Sequence, residues 1–216
     1  MRCDDHLRGR FARRQVLQTG GFLIAGMTLG CTLPGQGAPP QIIRLSAAED
    51  FPPNIPSVAW TLRVAEPNAT SRLNSAKIAY VPQGEEMQYL STGEWASRAP
   101  EMVMELLVES FKNTGKVLSV GDRRARIRPD FELFLQLFDF QMTETGSDSG
   151  EVTVTLEARL IKRPRRNEVA SFSWESKTQV QGITLGNIVA AFQESLSEVM
   201  AQTVEWTLQT GAGAGL

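Results

Sequence analysis

Alternating apolar and polar residues predict a sheet of mostly antiparallel strands. Apolar side chains occupy every second position of segments 58–64 and 152–160. A period of two is typical of a strand with one buried face. Segment 168–177 follows the second of these strands after a turn and is predicted to pair with it. Shorter strands are predicted at 76–81, 87–90 and 117–120.

Segment 131–140 has the strongest strand pattern, and both of its faces are apolar. One face carries leucines and the other carries aromatic rings, which include Phe134, Phe138 and Phe140. Aromatic residues in such a pattern are more often core residues than ligand contacts. One face is expected to meet the helices, however, and the other needs cover from a lipid, another element or a partner subunit. We therefore name Phe134, Phe138 and Phe140 as candidate interface or lipid-contact residues.

A helical period predicts two long amphipathic helices. The first begins near Pro100, since proline is favoured in the first turn, and ends before Gly115, a residue type common just past a helix. The second runs from about Leu185 to Leu208, with apolar residues at helical spacing. Packing both helices on one face of the sheet gives a single α+β domain.

The first thirty residues have the composition of an export signal. Five arginines precede an uncharged apolar stretch that ends at Gly30, directly before Cys31. The stretch is shorter than the roughly 20 apolar residues that span a bilayer, which favours a cleaved signal. A small residue before a cysteine resembles a bacterial lipoprotein signal, so Cys31 is the predicted site of acylation. Arg13 and Arg14 resemble a twin-arginine export signal, and an ordinary Sec signal is the alternative.

Four regions of the chain follow from these patterns. Residues 1–30 are the predicted lipoprotein signal peptide, and residues 31–56 a flexible tether rich in proline and glycine. Residues 57–209 form the predicted folded domain. Residues 210–216 are mostly glycine and alanine and are predicted to be a disordered tail.

The composition excludes several classes of function. His6 is the single histidine and lies in the predicted signal, so the mature chain lacks the histidine that Ser-His-Asp catalysis and His-ligated metal sites require. The glycine motifs of nucleotide-binding loops are absent from the sequence. A net charge of −2 gives no indication of nucleic-acid binding. We expect a protein without catalytic activity, metal, cofactor or nucleic-acid partner.

Although the net charge is negative, the chain contains two arginine-rich runs, at 123–128 and 162–166. One interpretation is that both are solvated loops. The other is a patch that contacts an anionic lipid headgroup or an acidic partner, for which Arg163, Arg165 and Arg166 are the candidates.

The order and spacing of several segments resemble the ABC-type transport auxiliary lipoproteins, the PqiC-like proteins. The resemblance extends from about Ala59 to Leu208. The segments that carry it are 60–67, 73–79, 89–96 with Ala99 and Pro100, 133–140, 188–192 and 206–208.

The resemblance implies a non-catalytic lipoprotein that is anchored in the outer membrane, faces the periplasm and serves an MCE-type lipid transport system. The implied partners are an MCE-domain protein, the subunits of an ABC transporter and the membrane, which acylated Cys31 would contact. Phospholipid binding and homo-oligomerisation stay open. The alternative is an envelope lipoprotein that activates or scaffolds a cell-envelope assembly machine without binding lipid.

Overall fold

The computed structural model describes residues 39–84, 86–164 and 167–215. These residues form nine strands and two α-helices, with a short 3-10 helix at Arg123–Ala125. The strands are β1 Gln41–Ile43, β2 Val58–Val64, β3 Asn68–Ala69, β4 Lys77–Val81, β5 Gln88–Trp95, β6 Val117–Gly121, β7 Phe131–Gly146, β8 Ser149–Lys162 and β9 Asn167–Gln181. The helices are α1 Ala99–Thr114 and α2 Leu185–Gly213.

Strand β7 is the central strand of a single mixed sheet. On one side it pairs with β8 along its whole length, and β8 pairs with β9, both antiparallel. On its other side β7 pairs in turn with β2, β3 and β4, all parallel. Strand β6 extends the sheet beyond β2, and β5 and β1 extend it beyond β4. The α+β class with two helices is therefore confirmed.

Antiparallel pairing is confirmed for the longest strands, and shorter parallel pairings extend the sheet. The two longest ladders are antiparallel, but five of the eight strand pairings in the described part of the chain are parallel. Parallel neighbours arise because long crossover segments separate the paired strands along the chain, and for four of these five pairings the segment contains α1. Alternation reports which side chains are buried and carries no information about strand direction.

A β-bulge at Phe138 changes which face of β7 carries the later aromatic residues. The register with β8 shifts between Leu137 and Asp139, so Phe138 is the extra residue. Before the bulge the buried positions are odd-numbered, and after it they are Phe140 and Met142. One inserted residue reverses the face of every later side chain because the period of a strand is two.

The helices and the inner face of the sheet enclose the core. Trp95, Phe140 and Phe192 form a triangle of buried rings, with centroids 4.9 to 5.5 Å apart. These distances are typical of favourable aromatic pairs. Helix α1 ends as predicted, since Gly115 has a left-handed φ of 61° and its N–H donates to the carbonyl oxygen of Lys112.

The N-terminal boundary of the folded part differs from the predicted tether at 31–56. Strand β1 pairs in parallel with β5, and Leu45 and Ile55 are buried in the core. Residues 1–38 lie outside the described residues, and this range includes Arg13, Arg14 and Cys31. The folded part therefore includes the chain from Gln41 onward, because a few apolar residues among polar ones were enough to pack on the sheet.

The C-terminal boundary also differs from the predicted tail at 210–216. Helix α2 continues to Gly213, and Gly211 is buried against the indole ring of Trp60. A Cβ atom at residue 211 would lie only 2.4 Å from that ring. Glycine at this position thus permits a close approach of helix and strand, rather than marking a linker.

Within the described part of the chain, no helix combines the length and the apolar character that a membrane crossing requires.

Candidate functional site

The face of the sheet opposite the helices carries a groove of about 620 Å³. Small-molecule sites commonly have volumes of about 300–1,000 Å³. Strands β2 and β7 supply its floor, while β3, the 3-10 helix and the end of β8 supply its sides. The polar and aromatic residues that line it are Arg63, Glu66, Asn68, Asn74, Arg123, Glu132, Phe134 and Arg163.

The Glu132 carboxylate lies between two guanidinium groups of this groove. Parallel pairing of β2 with β7 puts Arg63 beside Glu132, where Nη1 of Arg63 is 3.8 Å from Oε1. Nε of Arg163 is 3.9 Å from Oε2 of the same carboxylate. Both distances are longer than a hydrogen bond, so these are loose ion pairs. The carboxylate is shared, and the two arginines together leave an excess of positive charge.

Arg63 is held at the groove floor by one firm hydrogen bond. Its Nη2 donates to the carbonyl oxygen of Ile127 at 2.9 Å. Its Nε is buried and has no hydrogen-bond partner among the residues that the structure describes. A buried donor without an acceptor costs about 1–3 kcal/mol. The Arg63 side chain is therefore fixed in position but has an unused hydrogen-bond donor.

The second carboxylate of the groove, Glu66, is neutralised by Arg98 at its edge. Nη2 of Arg98 lies 2.8 Å from Oε1 of Glu66, a hydrogen-bonded ion pair. Nη1 of Arg98 donates to Oδ1 of Asn74 at 2.5 Å. Because Glu66 has this close partner, it does not balance the charge of the arginines inside the groove.

Asp122 anchors the turn that brings Arg123 to the groove. Its Oδ1 accepts from the backbone N–H groups of Arg124 and Ala125, at 2.9 and 3.2 Å, and its Oδ2 accepts from Nε of Arg124 at 2.7 Å. Burial acts to raise the pKa of Asp122, but the hydrogen bonds and charge of Arg124 outweigh burial and lower that pKa. Arg124 itself extends towards carboxylates of α1.

The end of the β8–β9 hairpin is tied to the start of β7. The backbone N–H of Arg163 donates to the carbonyl oxygen of Asp130 at 2.8 Å. Oδ2 of Asp130 accepts from the backbone N–H of Thr61 in β2, also at 2.8 Å. The two arginine-rich runs of the sequence thereby meet, since Arg163 lines the groove with Arg123 and a neighbouring hollow with Arg128.

The predicted site residues divide between this groove and the core. Phe134 and Arg163 both line the groove. Phe138 is 48% exposed and is not among the lining residues. Phe140 is 1% exposed, so its prediction as a lipid-contact residue is wrong, because the bulge turns its ring into the core. Arg165 and Arg166 lie outside the described residues.

Sequence reasoning missed Arg63 and Glu132. Alternation does mark both as outward-facing positions of their strands. Their proximity depends on the parallel pairing of β2 with β7, which no local pattern reveals.

The chemistry of the groove is that of an anion site beside an aromatic ring. Guanidinium groups offer several N–H donors in a planar array that suits carboxylate and phosphate oxygens. Across residues 39–84, 86–164 and 167–215, no three carboxylate, cysteine or histidine side chains are grouped so that they could hold a metal ion.

Comparison with known proteins identifies the family. The family model described as "ABC-type transport auxiliary lipoprotein component" matches residues 44–204. The chain belongs to this family. The match confirms the resemblance carried by the sequence segments. The description is of an auxiliary component of transport rather than of an enzyme, and a lipoprotein family indicates a location in the cell envelope.

Two solved structures share the fold of this chain. A crystal structure of a Xanthomonas campestris protein is 28% identical, with a TM-score of 0.75, and the match covers 81% of this chain and 98% of that one. A second crystal structure is 13% identical, with a TM-score of 0.59 over 77% of this chain and 97% of that one, and shows the fold alone.

A relative from Bradyrhizobium diazoefficiens is 23% identical over 176 residues, or 81% of this chain. The match spans 47% of that relative, so this chain corresponds to about half of its length.

Proposed function

We propose that this protein is the outer-membrane-anchored, periplasmic auxiliary component of an MCE-type lipid transport system and acts there without catalysis. The observation that carries the proposal is the family match over residues 44–204. In this role the lipoprotein would dock to an MCE-domain protein. That contact would connect the ABC-type transport system with the outer membrane.

The proposed anchor is Cys31, acylated after cleavage of residues 1–30. Each buried CH₂ group contributes about 0.8 kcal/mol, so several acyl chains hold a protein stably on a membrane. Gln41, where β1 begins, is ten positions after Cys31 in the sequence. At no more than about 3.6 Å per residue, the anchor lies within about 36 Å of that strand. The folded domain would therefore work close to the bilayer.

The proposed partners are an MCE-domain protein and the ABC transporter subunits. The test uses the full-length tagged chain and its Cys31→Ser variant, expressed in the native envelope. We expect the wild-type chain to fractionate with the outer membrane and to co-purify with an MCE-domain protein. The Cys31→Ser variant loses the acyl anchor, so it should leave the outer-membrane fraction.

The matched control is Cys3→Ser, which changes the other cysteine and should leave fractionation unchanged. A Cys31→Ser variant that stays with the outer membrane contradicts the proposed anchor. Recovery of cell-envelope assembly enzymes in place of an MCE-domain protein would favour the alternative of an activator or scaffold without lipid binding.

A further inference from the structure

We propose that the groove between β2, β3 and β7 binds the phosphate group of a phospholipid, with Arg63, Arg123 and Arg163 as the donors. The inference rests on the proposed function, because a lipid transport system would supply the phospholipid. It goes further by naming the group that is bound and the residues that bind it.

Charge is the first argument for a phosphate ligand. Three arginines line the groove, and two of them, Arg63 and Arg163, share the Glu132 carboxylate. Glu66 is already paired with Arg98 at 2.8 Å. The groove therefore has an excess of positive charge in a protein whose net charge is −2. A ligand group with negative charge would balance it.

Unused hydrogen-bond donors are the second argument. The Glu132 oxygens lie 3.8 and 3.9 Å from the arginine nitrogens, whereas charge-assisted hydrogen bonds are about 2.7–2.9 Å long. Phosphate oxygens can accept from several guanidinium groups at once, so this ligand would satisfy donors that Glu132 leaves free.

The apolar part of the lining argues for a lipid rather than free phosphate. Phe134 lies on the groove floor, and Ala65, Pro67 and Ala69 line the groove beside it. Phe134 is only partly buried, so its ring still has apolar surface to cover. The glycerol and first acyl carbons of a phospholipid would cover that ring while the phosphate contacts the arginines.

The test is a calorimetric titration of the acylated, full-length mature protein in a non-ionic detergent. Three probes separate the parts of the ligand. Dihexanoyl phosphatidylglycerol carries both phosphate and acyl chains, inorganic phosphate carries no chains, and dihexanoylglycerol carries no phosphate. We expect saturable binding of the first probe and at least ten-fold weaker binding of the other two.

Two variants with a matched control locate the site. Arg163→Gln and Arg123→Gln each remove a charged donor and should weaken binding of dihexanoyl phosphatidylglycerol about 10- to 100-fold, since a hydrogen bond to a charged group contributes about 1.5–3 kcal/mol. Arg126→Gln makes the same change in the same arginine run, outside the groove lining, and should alter the Kd less than two-fold. Arg123 and Arg126 are exposed and Arg163 is partly exposed, and unchanged thermal unfolding will show that the variants fold.

Three results would overturn the inference. One is the absence of phosphatidylglycerol binding, and another is equally strong binding of either partial probe. The third is an equal loss of affinity in Arg126→Gln and Arg163→Gln, which would indicate attraction by the overall charge without a site. None of these results would change whether the chain co-purifies with an MCE-domain protein. Failure of this inference can therefore be distinguished from failure of the proposed function.

Discussion

The two faces of strand β7 carry different chemistry within one stretch of sixteen residues. On the helix side, Phe131, Leu133 and Leu137 are fully buried. On the other side, Glu132 and Phe134 are partly exposed and border the arginine groove. Charged groups remain where water or a charged partner reaches them because burying an unpaired charge is costly. One alternating strand thus supplies both the core and the groove.

The difference separates stability from binding. Closely packed side chains on the helix side resist any change of volume. Exposed and loosely paired charges contribute only about 0–1 kcal/mol each, so the groove adds little to folding stability. Substitutions on the helix side should therefore destabilise the protein, whereas substitutions on the groove side should change its stability little.

The largest effect is expected for Phe140→Ala, on the helix side. Its ring contacts Trp95 and Phe192 and is 1% exposed. Removing a buried phenylalanine ring leaves a cavity and costs about 3–5 kcal/mol. Urea unfolding followed by tryptophan fluorescence measures the loss as a lower free energy of unfolding.

The matched control is Phe138→Ala, two residues earlier in the same strand. Phe138 is 48% exposed, so the substitution should change the free energy of unfolding by about 0.5 kcal/mol or less. Equal losses in the two variants would contradict the bulge and the assignment of faces.

An intermediate effect is expected for Gly211→Ala at the end of α2. A Cβ atom there would lie 2.4 Å from the Trp60 ring, which is itself buried. Overpacking of a core costs about 1–3 kcal/mol, although alanine is the better helix former. Thermal unfolding should show a lower Tm.

Gly213→Ala is the control for this glycine, in the same final turn of α2. A Cβ atom at residue 213 would meet no atom within 4 Å. Alanine there should stabilise the helix by up to about 1 kcal/mol, since glycine is the poorer helix former. A higher Tm for Gly211→Ala would show that the helix end does not pack on Trp60.

The smallest effect is expected for Asp122→Ala, in the turn that carries Arg123. Removing a side chain that caps a helix start costs about 1 kcal/mol. The pKa of Asp122 is lowered in the fold, so its stabilisation is fully present above the unfolded value of about 3.9 and is lost as the pH falls through the folded pKa. The difference in thermal stability between the wild type and Asp122→Ala should therefore shrink as the pH falls.

Thermal unfolding of both proteins between neutral and acidic pH measures that difference. Arg124→Gln is the control, because it keeps the backbone hydrogen bonds to Asp122 and removes the exposed ion pairs of the Arg124 side chain with Asp122 and with two α1 carboxylates. We expect Arg124→Gln to lose less stability than Asp122→Ala. A loss in Asp122→Ala as large as in Phe140→Ala would contradict the expectation that a partly exposed polar contact contributes less to stability than the core.

Local patterns were sufficient to predict most elements of the fold. Alternation located β2, β7 and β8, and the proline and glycine at its ends located α1. These features depend on neighbours a few residues apart, so they are visible in the sequence. The resemblance to the auxiliary lipoproteins rests likewise on the order of short segments, and the family match confirms it.

The sequence by itself therefore determined the class of fold, the main elements, the family and two of the groove residues, Phe134 and Arg163. The tertiary structure alone decided the parallel pairings, the bulge that buries Phe140 and the contact of Gly211 with Trp60. The pairing of β2 with β7, which places Arg63 beside Glu132, was likewise visible only in the tertiary structure, because the two strands are far apart along the chain. Burial and charge are local properties of a residue, but the partner of a side chain depends on how distant strands pair.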